Sequence, residues 1–333
     1  MAEMAGGKGT IILGNAPSSG STLLLSLLGA HPDVYQTREL NIFDKPDWVS
    51  GRTKDLRERW SSYAKRRYDR HFPCEHSLIF TGFSSIPDYS ESSLDYASFV
   101  CDALGKAASE DGRSVAVEKT PNNIFSLPFL HTALPHAKFV IIVRHPASVF
   151  KSLRRRGFDP FTATARWYFP NLIARAMQDL PRVHTITYEE LTQQPGSMLR
   201  SIGMVLDLED LDAVLAQRNS RQTDLNHLPS WEKDLFGKIV ADRPPEAVPE
   251  EAHGYFARIR ANDYFFDYVN IPKNSISATE LARSFGYNLG LGETPGARIK
   301  RPRLPIAQYS KYVASCLYNG RPVRPLWHSW NHS

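Results

Sequence analysis

Gly14-Asn15-Ala16-Pro17-Ser18-Ser19-Gly20-Ser21-Thr22 lies between a short apolar run, Thr10 to Leu13, and a leucine-rich run, Leu23 to Leu28. An apolar run, a Gly/Ser loop and then a helix start is the layout of a phosphate cradle. Backbone N–H groups in such a loop can turn towards an anion, and the helix that follows adds roughly half a positive charge at its first turn. Gly14 and Gly20 are expected to permit positive φ and close approach of the backbone to a ligand. An ordinary strand-to-helix turn with a serine cap has the same layout, so the loop alone does not decide. It does exclude one reading. A magnesium-dependent NTP loop needs Gly, four residues, then Gly-Lys-Ser/Thr. Here five residues separate Gly14 from Gly20, and Ser21 stands where that lysine would be. A smaller anion, held by amides and hydroxyls without metal, suits the loop better.

The second informative stretch is Lys138-Phe139-Val140-Ile141-Ile142-Val143-Arg144-His145-Pro146. Phe139 to Val143 is an unbroken apolar run of strand length, the kind buried on both faces of a parallel sheet. It ends in arginine, not the aspartate of a magnesium-dependent NTPase. Pro146 suits a helix start. Arg144 is therefore expected at the carboxyl end of a central strand, where open α/β sheets bind ligands. A guanidinium there can take a phosphate bidentately. A salt bridge to a neighbouring loop is the alternative use of the same residue.

Strands and helices alternate along the chain. Strands are expected at 10–13, 33–36, 114–118, 138–143 and 183–188. Helices are expected at 21–30, 122–132, 146–155, 160–179 and 195–205. This pattern predicts a three-layer α/β/α fold with a central, mostly parallel sheet. The whole chain, 1–333, reads as one domain. Residues 44–112 read as a helical insertion, with one helix around Leu56, Trp60, Ala64 and Tyr68 and another through Leu94, Ala97, Cys101 and Leu104. Its aromatics, Phe43, Trp48, Phe72, Phe80, Phe83 and Tyr89, could wall a pocket for an acceptor or form a small core of their own. Residues 290–333 are rich in Pro, Lys and Arg and read as an extended basic tail or flap. Trp231 and Trp327 carry no assignment.

Four motifs, in order, resemble sulfotransferases that use 3′-phosphoadenosine 5′-phosphosulfate (PAPS). The loop Pro17, Ser18, Ser19, Gly20, Ser21, Thr22 resembles the family's 5′-phosphosulfate loop. Arg144 and Ser152, eight residues apart, resemble its 3′-phosphate pair. Glu118-Lys119-Thr120-Pro121 resembles a lysine-bearing strand end. Tyr188-Glu189-Glu190-Leu191, followed by Pro195, resembles a late strand-to-helix junction, with Tyr188 among the cofactor contacts. The match runs over about residues 10–206. The resemblance implies a P-loop-like sulfotransferase architecture, PAPS as donor, adenosine 3′,5′-bisphosphate (PAP) as product, and no metal. One position departs: Ser18 stands where related loops carry arginine or lysine. Either another cation, with Lys119 foremost, takes over. Or hydroxyls and amides suffice for a slower reaction. Or the protein binds the nucleotide without transferring sulfate.

Sulfuryl transfer is in-line, so catalysis is positioning plus charge stabilisation. A base is needed at a strand end facing the loop. Glu39, just past the strand ending at Gln36, matches the glutamate base of one branch of the family, although it could simply pair with Arg38. Lys119 would donate to the departing oxygen. Glu118 is the second candidate base, but neighbouring strand residues point to opposite faces, so Lys119 and Glu118 cannot both face the loop. His31, His136 and His145 read as solvated loop residues. Cys74, Cys101 and Cys316 are far apart, with no metal-ligand spacing.

With 42% hydrophobic residues, 333 positions can bury a sizeable core. Three cysteines and a small, polar start from Met1 to Gly9 lead to the expectation of a cytoplasmic location. No run reaches the ~18 apolar residues of a membrane span. A net charge of +5 and a pI near 9.0 suit an anionic cofactor. The basic residues are dispersed and no nucleic-acid module appears, so nucleic acid is not an expected partner. The expected partner is a hydroxyl-bearing acceptor; no motif specifies its identity or an oligomeric state. Three rival readings are a catalytically silent PAP/PAPS-binding protein of the same fold, a nucleotide kinase, and an anion- or glycan-binding interaction module.

Overall fold

Gly9–Asn15 forms β1, the middle strand of a five-stranded sheet. The computed structural model describes residues 9–37, 39–44, 46–51, 93–216 and 239–289. After β1 come α1 (Ser21–Leu28), β2 (Val34–Gln36), α2 (Pro46–Val49) and α3 (Ser93–Glu110). β3 (Val115–Lys119) runs into a 3-10 turn (Pro121–Phe125) and α4 (Leu127–Ala133). β4 (Lys138–Val143) is followed by α5 (Pro146–Arg155) and α6 (Pro160–Met177). β5 (Val183–Thr187) leads to α7 (Tyr188–Gln193) and α8 (Pro195–Leu206). Further on lie α9 (Glu250–Arg258), α10 (Asp263–Val269) and α11 (Ala278–Ser284).

The strand order is β2-β3-β1-β4-β5 and every pairing is parallel. Alternation along each strand divides the core into two layers. Ile12, Ala116, Phe139, Ile141 and Val143 face α3 to α6 and α9 to α11. Ile11, Leu13, Val117, Val140 and Ile142 face α1 and α8. A continuous apolar run such as Phe139–Val143 is what burial on both faces requires. The chain leaves β1 for β2 and β3 on one side and returns to β4 on the other. Their carboxyl ends therefore flank a crevice at β1, the place where parallel sheets of this kind hold ligands.

Several expected boundaries move for local reasons. The helix expected at 122–132 is a 3-10 turn and then α4, parted at Ser126. Asn123 Nδ2 donates to the Leu13 carbonyl at 3.1 Å, which pins the first turn against β1, and Pro128 suits the restart. The strand expected to reach residue 188 stops at Thr187, whose hydroxyl accepts the Glu190 N–H while the Glu190 carboxylate accepts from Thr187. That capping box starts the short helix α7.

Part of the expected insertion is core. Phe43 and Trp48 are fully buried, and Trp48 meets Tyr96 of α3 edge-on with centroids 6.2 Å apart. They cannot line a pocket, because α3 lays Ala97, Val100 and Leu104 over them and the sheet. Phe72, Phe80, Phe83, Tyr89, the helix expected around Leu56 to Tyr68, Trp231 and the segment 290–333 lie outside the described residues.

Gly14 does not have positive φ; its role is close packing. A Cβ there would stand 2.7 Å from the Ile124 nitrogen. Because the obstacle is backbone, Gly14→Ala is expected to destabilise by about 1–3 kcal/mol, the usual cost of overpacking. Urea unfolding measures this, and an unchanged midpoint would contradict it.

Candidate active site

The loop after β1 closes on itself before α1 begins. Ser19 N–H donates to the Ala16 carbonyl at 3.3 Å, and the chain reverses through positive φ at Ser18 (67°) and Gly20 (92°). Gly20 is needed for a second reason: a Cβ there would lie 2.1 Å from the Tyr188 ring. No side chain caps α1, so the N–H groups of its first turn have no partner within the helix. Ser19 is fully buried, and its hydroxyl has no hydrogen-bond partner in the structure. A buried hydroxyl without a partner beside uncapped amides is a set of donors built for an anion.

Lys119 reaches this loop from the end of β3. Leu13 and Lys119 are paired across β1 and β3, so the ammonium rises beside the start of the loop. Its side chain is 3% exposed. Nζ donates to Thr22 Oγ1 at 3.3 Å and to Glu39 Oε1 at 2.5 Å. The Glu39 carboxylate is half-exposed, open on the solvent side of the crevice. Glu118 turns to the opposite face, as strand alternation requires. It is fully buried and accepts from Leu40 N–H, Thr120 Oγ1 and Asn123 Nδ2. It is therefore no rival base. Burial pushes its carboxyl up to about 7, against the pull of these three donors.

Arg144 stands across the crevice at the end of β4. Its Nη1 donates to the Ser18 carbonyl at 3.3 Å, so it lies against the loop. The guanidinium carbon stacks 4.1 Å from the Tyr188 ring centroid, and Tyr188 in turn covers Gly20. Nε and Nη2 both donate to Asp242 Oδ2, at 3.0 and 2.8 Å. Asp242 is held by its own N–H on Thr192 Oγ1 and by Gln193 Nε2 on its carbonyl.

Sequence reasoning missed the supports of this corner. Trp167 Nε1 donates to the Arg144 carbonyl at 2.9 Å. His145 N–H donates to Glu189 Oε1 at 2.9 Å, and Tyr287 O–H donates to Glu189 Oε2 at 2.8 Å. His145 is buried rather than solvated. Its ring accepts the Ala147 N–H as the cap of α5, and burial lowers its pKa. His31 is also buried, with Nε2 2.8 Å from the Glu209 carbonyl. His136 is exposed, as expected.

A second missed residue bears on Ser18. Arg156, just past α5, brings Nη1 to 3.4 Å from the Ser18 hydroxyl. Ser152 is one helical turn before Arg156, on the same side of α5. Two arginines of the β4–α5 unit thus stand beside the loop position that carries no cation in the sequence. Only the spacing of Ser152 and Arg156 along α5 could have signalled this. Pro17 is half-buried at the bend of the loop.

An all-parallel α/β sheet thus brings an uncapped helix start and three cations together around one loop at the switch point. The model of the sulfotransferase family matches residues 10–212, and the chain belongs to that family. Protein-tyrosine sulfotransferase 1 of Danio rerio is 24% identical over 217 residues, covering 62% of this chain and 55% of that protein. Protein-tyrosine sulfotransferase of Drosophila melanogaster is 24% identical over 285 residues, covering 76% and 53%. The chain thus spans about half the length of the curated relatives it matches. Among solved structures, the sulfotransferase domain of the Synechococcus PCC 7002 olefin synthase superposes with a TM-score of 0.51 at 18% identity, over 84% of this chain and 94% of that one, which shows a shared fold. Among the described residues, no helix is long and apolar enough to cross a membrane, and no group of three or more His, Cys, Asp or Glu could hold a metal ion.

The Glu118 carboxyl has a pH signature. Its folded value, about 7, lies above the ordinary 4.5, so the folded chain holds this proton more tightly than the unfolded one. Stability linked to the group is full below 4.5 and is lost as pH rises to about 7. Glu118→Gln is expected to remove that fall from a series of urea midpoints measured across this range. An identical slope in the variant would contradict the assignment.

Proposed function

We propose that the chain transfers a sulfuryl group from PAPS to a hydroxyl of an acceptor, in line and without metal. The observation that carries this reading is the meeting of Lys119 Nζ with both Thr22 Oγ1 and Glu39 Oε1. It joins a cation, a loop hydroxyl and a carboxylate at one crevice. The donor set fits the nucleotide. The amides of 18–22, the unpaired Ser19 hydroxyl, Thr22 and Lys119 would hold its 5′-phosphosulfate end. Arg144, Ser152 and Arg156 would hold its 3′-phosphate, with Tyr188 packed between the two groups. PAPS supplies a sulfuryl group on an anhydride-like bond.

The chain's own residues supply the rest. Glu39 accepts the proton of the attacking hydroxyl as oxygen bonds to sulfur. Lys119 donates to the phosphate oxygen released when its bond to sulfur breaks. The partly exposed Glu39 leaves that side of the crevice open to an acceptor. The names of the two relatives favour a tyrosine phenol as the first acceptor class to test, and a sugar, lipid or carrier-bound hydroxyl follows. The expected cytoplasmic location stays with this proposal.

Two contrasting variants test the roles. Lys119→Ala is expected to lower turnover more than PAP affinity. Arg144→Ala is expected to weaken PAP binding by about 1.5–3 kcal/mol, the worth of a charge-assisted contact. Because a phosphate on Arg144 competes with the Asp242 carboxylate, Asp242→Asn is expected to tighten PAP. Calorimetric titration reads the PAP affinities, and a sulfate-transfer assay reads turnover. Wild-type affinity in both alanine variants would refute the site, and PAP binding without any turnover in the wild type would favour a silent nucleotide-binding protein.

A further inference from the structure

β2 pairs with β3 only as far as Gln36 against Val117. Beyond that point the described residues from Thr37 to Ile42, Glu39 among them, have no strand partner. Thr37 N–H still donates to the Val117 carbonyl at 3.0 Å. Further on, side chains replace the missing ladder. Leu40 N–H donates to Glu118 Oε1 at 3.3 Å, and Asn41 N–H donates to Thr120 Oγ1 at 3.0 Å. Thr120 Oγ1 itself donates to Glu118 Oε1 at 2.7 Å. Asn41 turns the chain through a positive φ of 56°, and its side chain donates to the Glu39 carbonyl at 3.0 Å. Tyr96 O–H donates to the Ile42 carbonyl at 2.8 Å.

The other oxygen of Glu118 accepts from Asn123 Nδ2, which also donates to the Leu13 carbonyl, one residue before the phosphate-type loop. One carboxylate thus links the backbone beside Glu39, the strand end bearing Lys119 and the start of the loop. A fully buried carboxylate is costly. Three donors aimed at it are a reason to keep it there. Asp44 and Cys101 are titratable groups close enough to Glu118 to interact with it electrostatically.

We propose that Glu118 is a positioning residue, whose buried carboxylate holds the Leu40 backbone and so sets where the neighbouring Glu39 carboxylate meets Lys119. The dipeptide Glu118-Lys119 then works on both faces of β3. Lys119 binds the Glu39 side chain above the sheet edge, and Glu118 fixes its backbone from below. This rests on the proposed roles of Glu39 and Lys119, but its structural half can be measured without any acceptor.

Amide hydrogen exchange on the full chain, with Glu118→Gln and Thr120→Val, reads the clamp directly. Exchange at Leu40 and Asn41 is expected to rise about tenfold or more in both variants, with peptides covering 16–24 unchanged. PAP affinity is expected to stay within about twofold of wild type, while sulfate transfer from PAPS to para-nitrophenol falls about tenfold, as misplacement of a catalytic group implies. Thr120→Val keeps side-chain volume and removes only the hydroxyl, so it serves if the Gln variant folds poorly. Unchanged protection at Leu40 and Asn41 in both variants overturns the proposal. So does PAP affinity falling in step with turnover, which marks Glu118 as general support for the fold. Glu39→Gln is the control for the underlying reading: full turnover in that variant sinks the base assignment, while the exchange data still judge the clamp.

Discussion

The site depends on one topological constraint: β1 is paired on both sides by strands that come later in the chain. A parallel sheet that reverses its order at its middle strand leaves a gap above that strand's carboxyl end, because the connections depart in opposite directions. The loop and two of its cations reach the gap from β1 and the strands beside it. The loop follows β1, Lys119 ends β3 and Arg144 follows β4. The chain separation between Thr22 and Lys119 is 97 residues, and between Ser18 and Arg144 it is 126, yet both pairs are within hydrogen-bond distance. Strand pairing, not sequence proximity, assembles the cluster.

Charge balance then decides how the cluster is held. Lys119 is nearly fully buried, and a buried ammonium needs a counter-charge. Glu39 gives it one from a side chain that is itself half-exposed. Arg144 has an equivalent partner in Asp242 and an aromatic face in Tyr188. Such pairs are worth little as stability, since desolvation offsets much of the attraction. Their use is orientation: each cation is aimed into the crevice by a partner that an anionic ligand can compete with or join.

Much of the fold was legible in sequence because its signals are local. Phe139 to Val143 could only be a doubly buried strand, and Pro146 and Pro160 marked helix starts that the structure keeps. The chemistry at strand ends was legible for the same reason: alternation alone sent Lys119 and Glu118 to opposite faces. What could not be read were long-range contacts. Nothing local in Arg156 says that it lies beside Ser18. Nothing in His145 or His31 predicts burial, because each is covered by elements distant in the chain. For Phe43 and Trp48 the sequence left pocket wall and core both open, and only the cover laid by α3 decides for core. Gly14 was assigned a conformational role, whereas the close approach of Ile124 explains it.

The most direct test is a crystal structure of the protein soaked with adenosine 3′,5′-bisphosphate. The expected result is one nucleotide with its 5′-phosphate on the amides of residues 18–22 beside Lys119, and its 3′-phosphate on Arg144 in place of the Asp242 carboxylate. A nucleotide bound away from this crevice, or one that leaves Arg144 on Asp242 and touches only the loop, would contradict it.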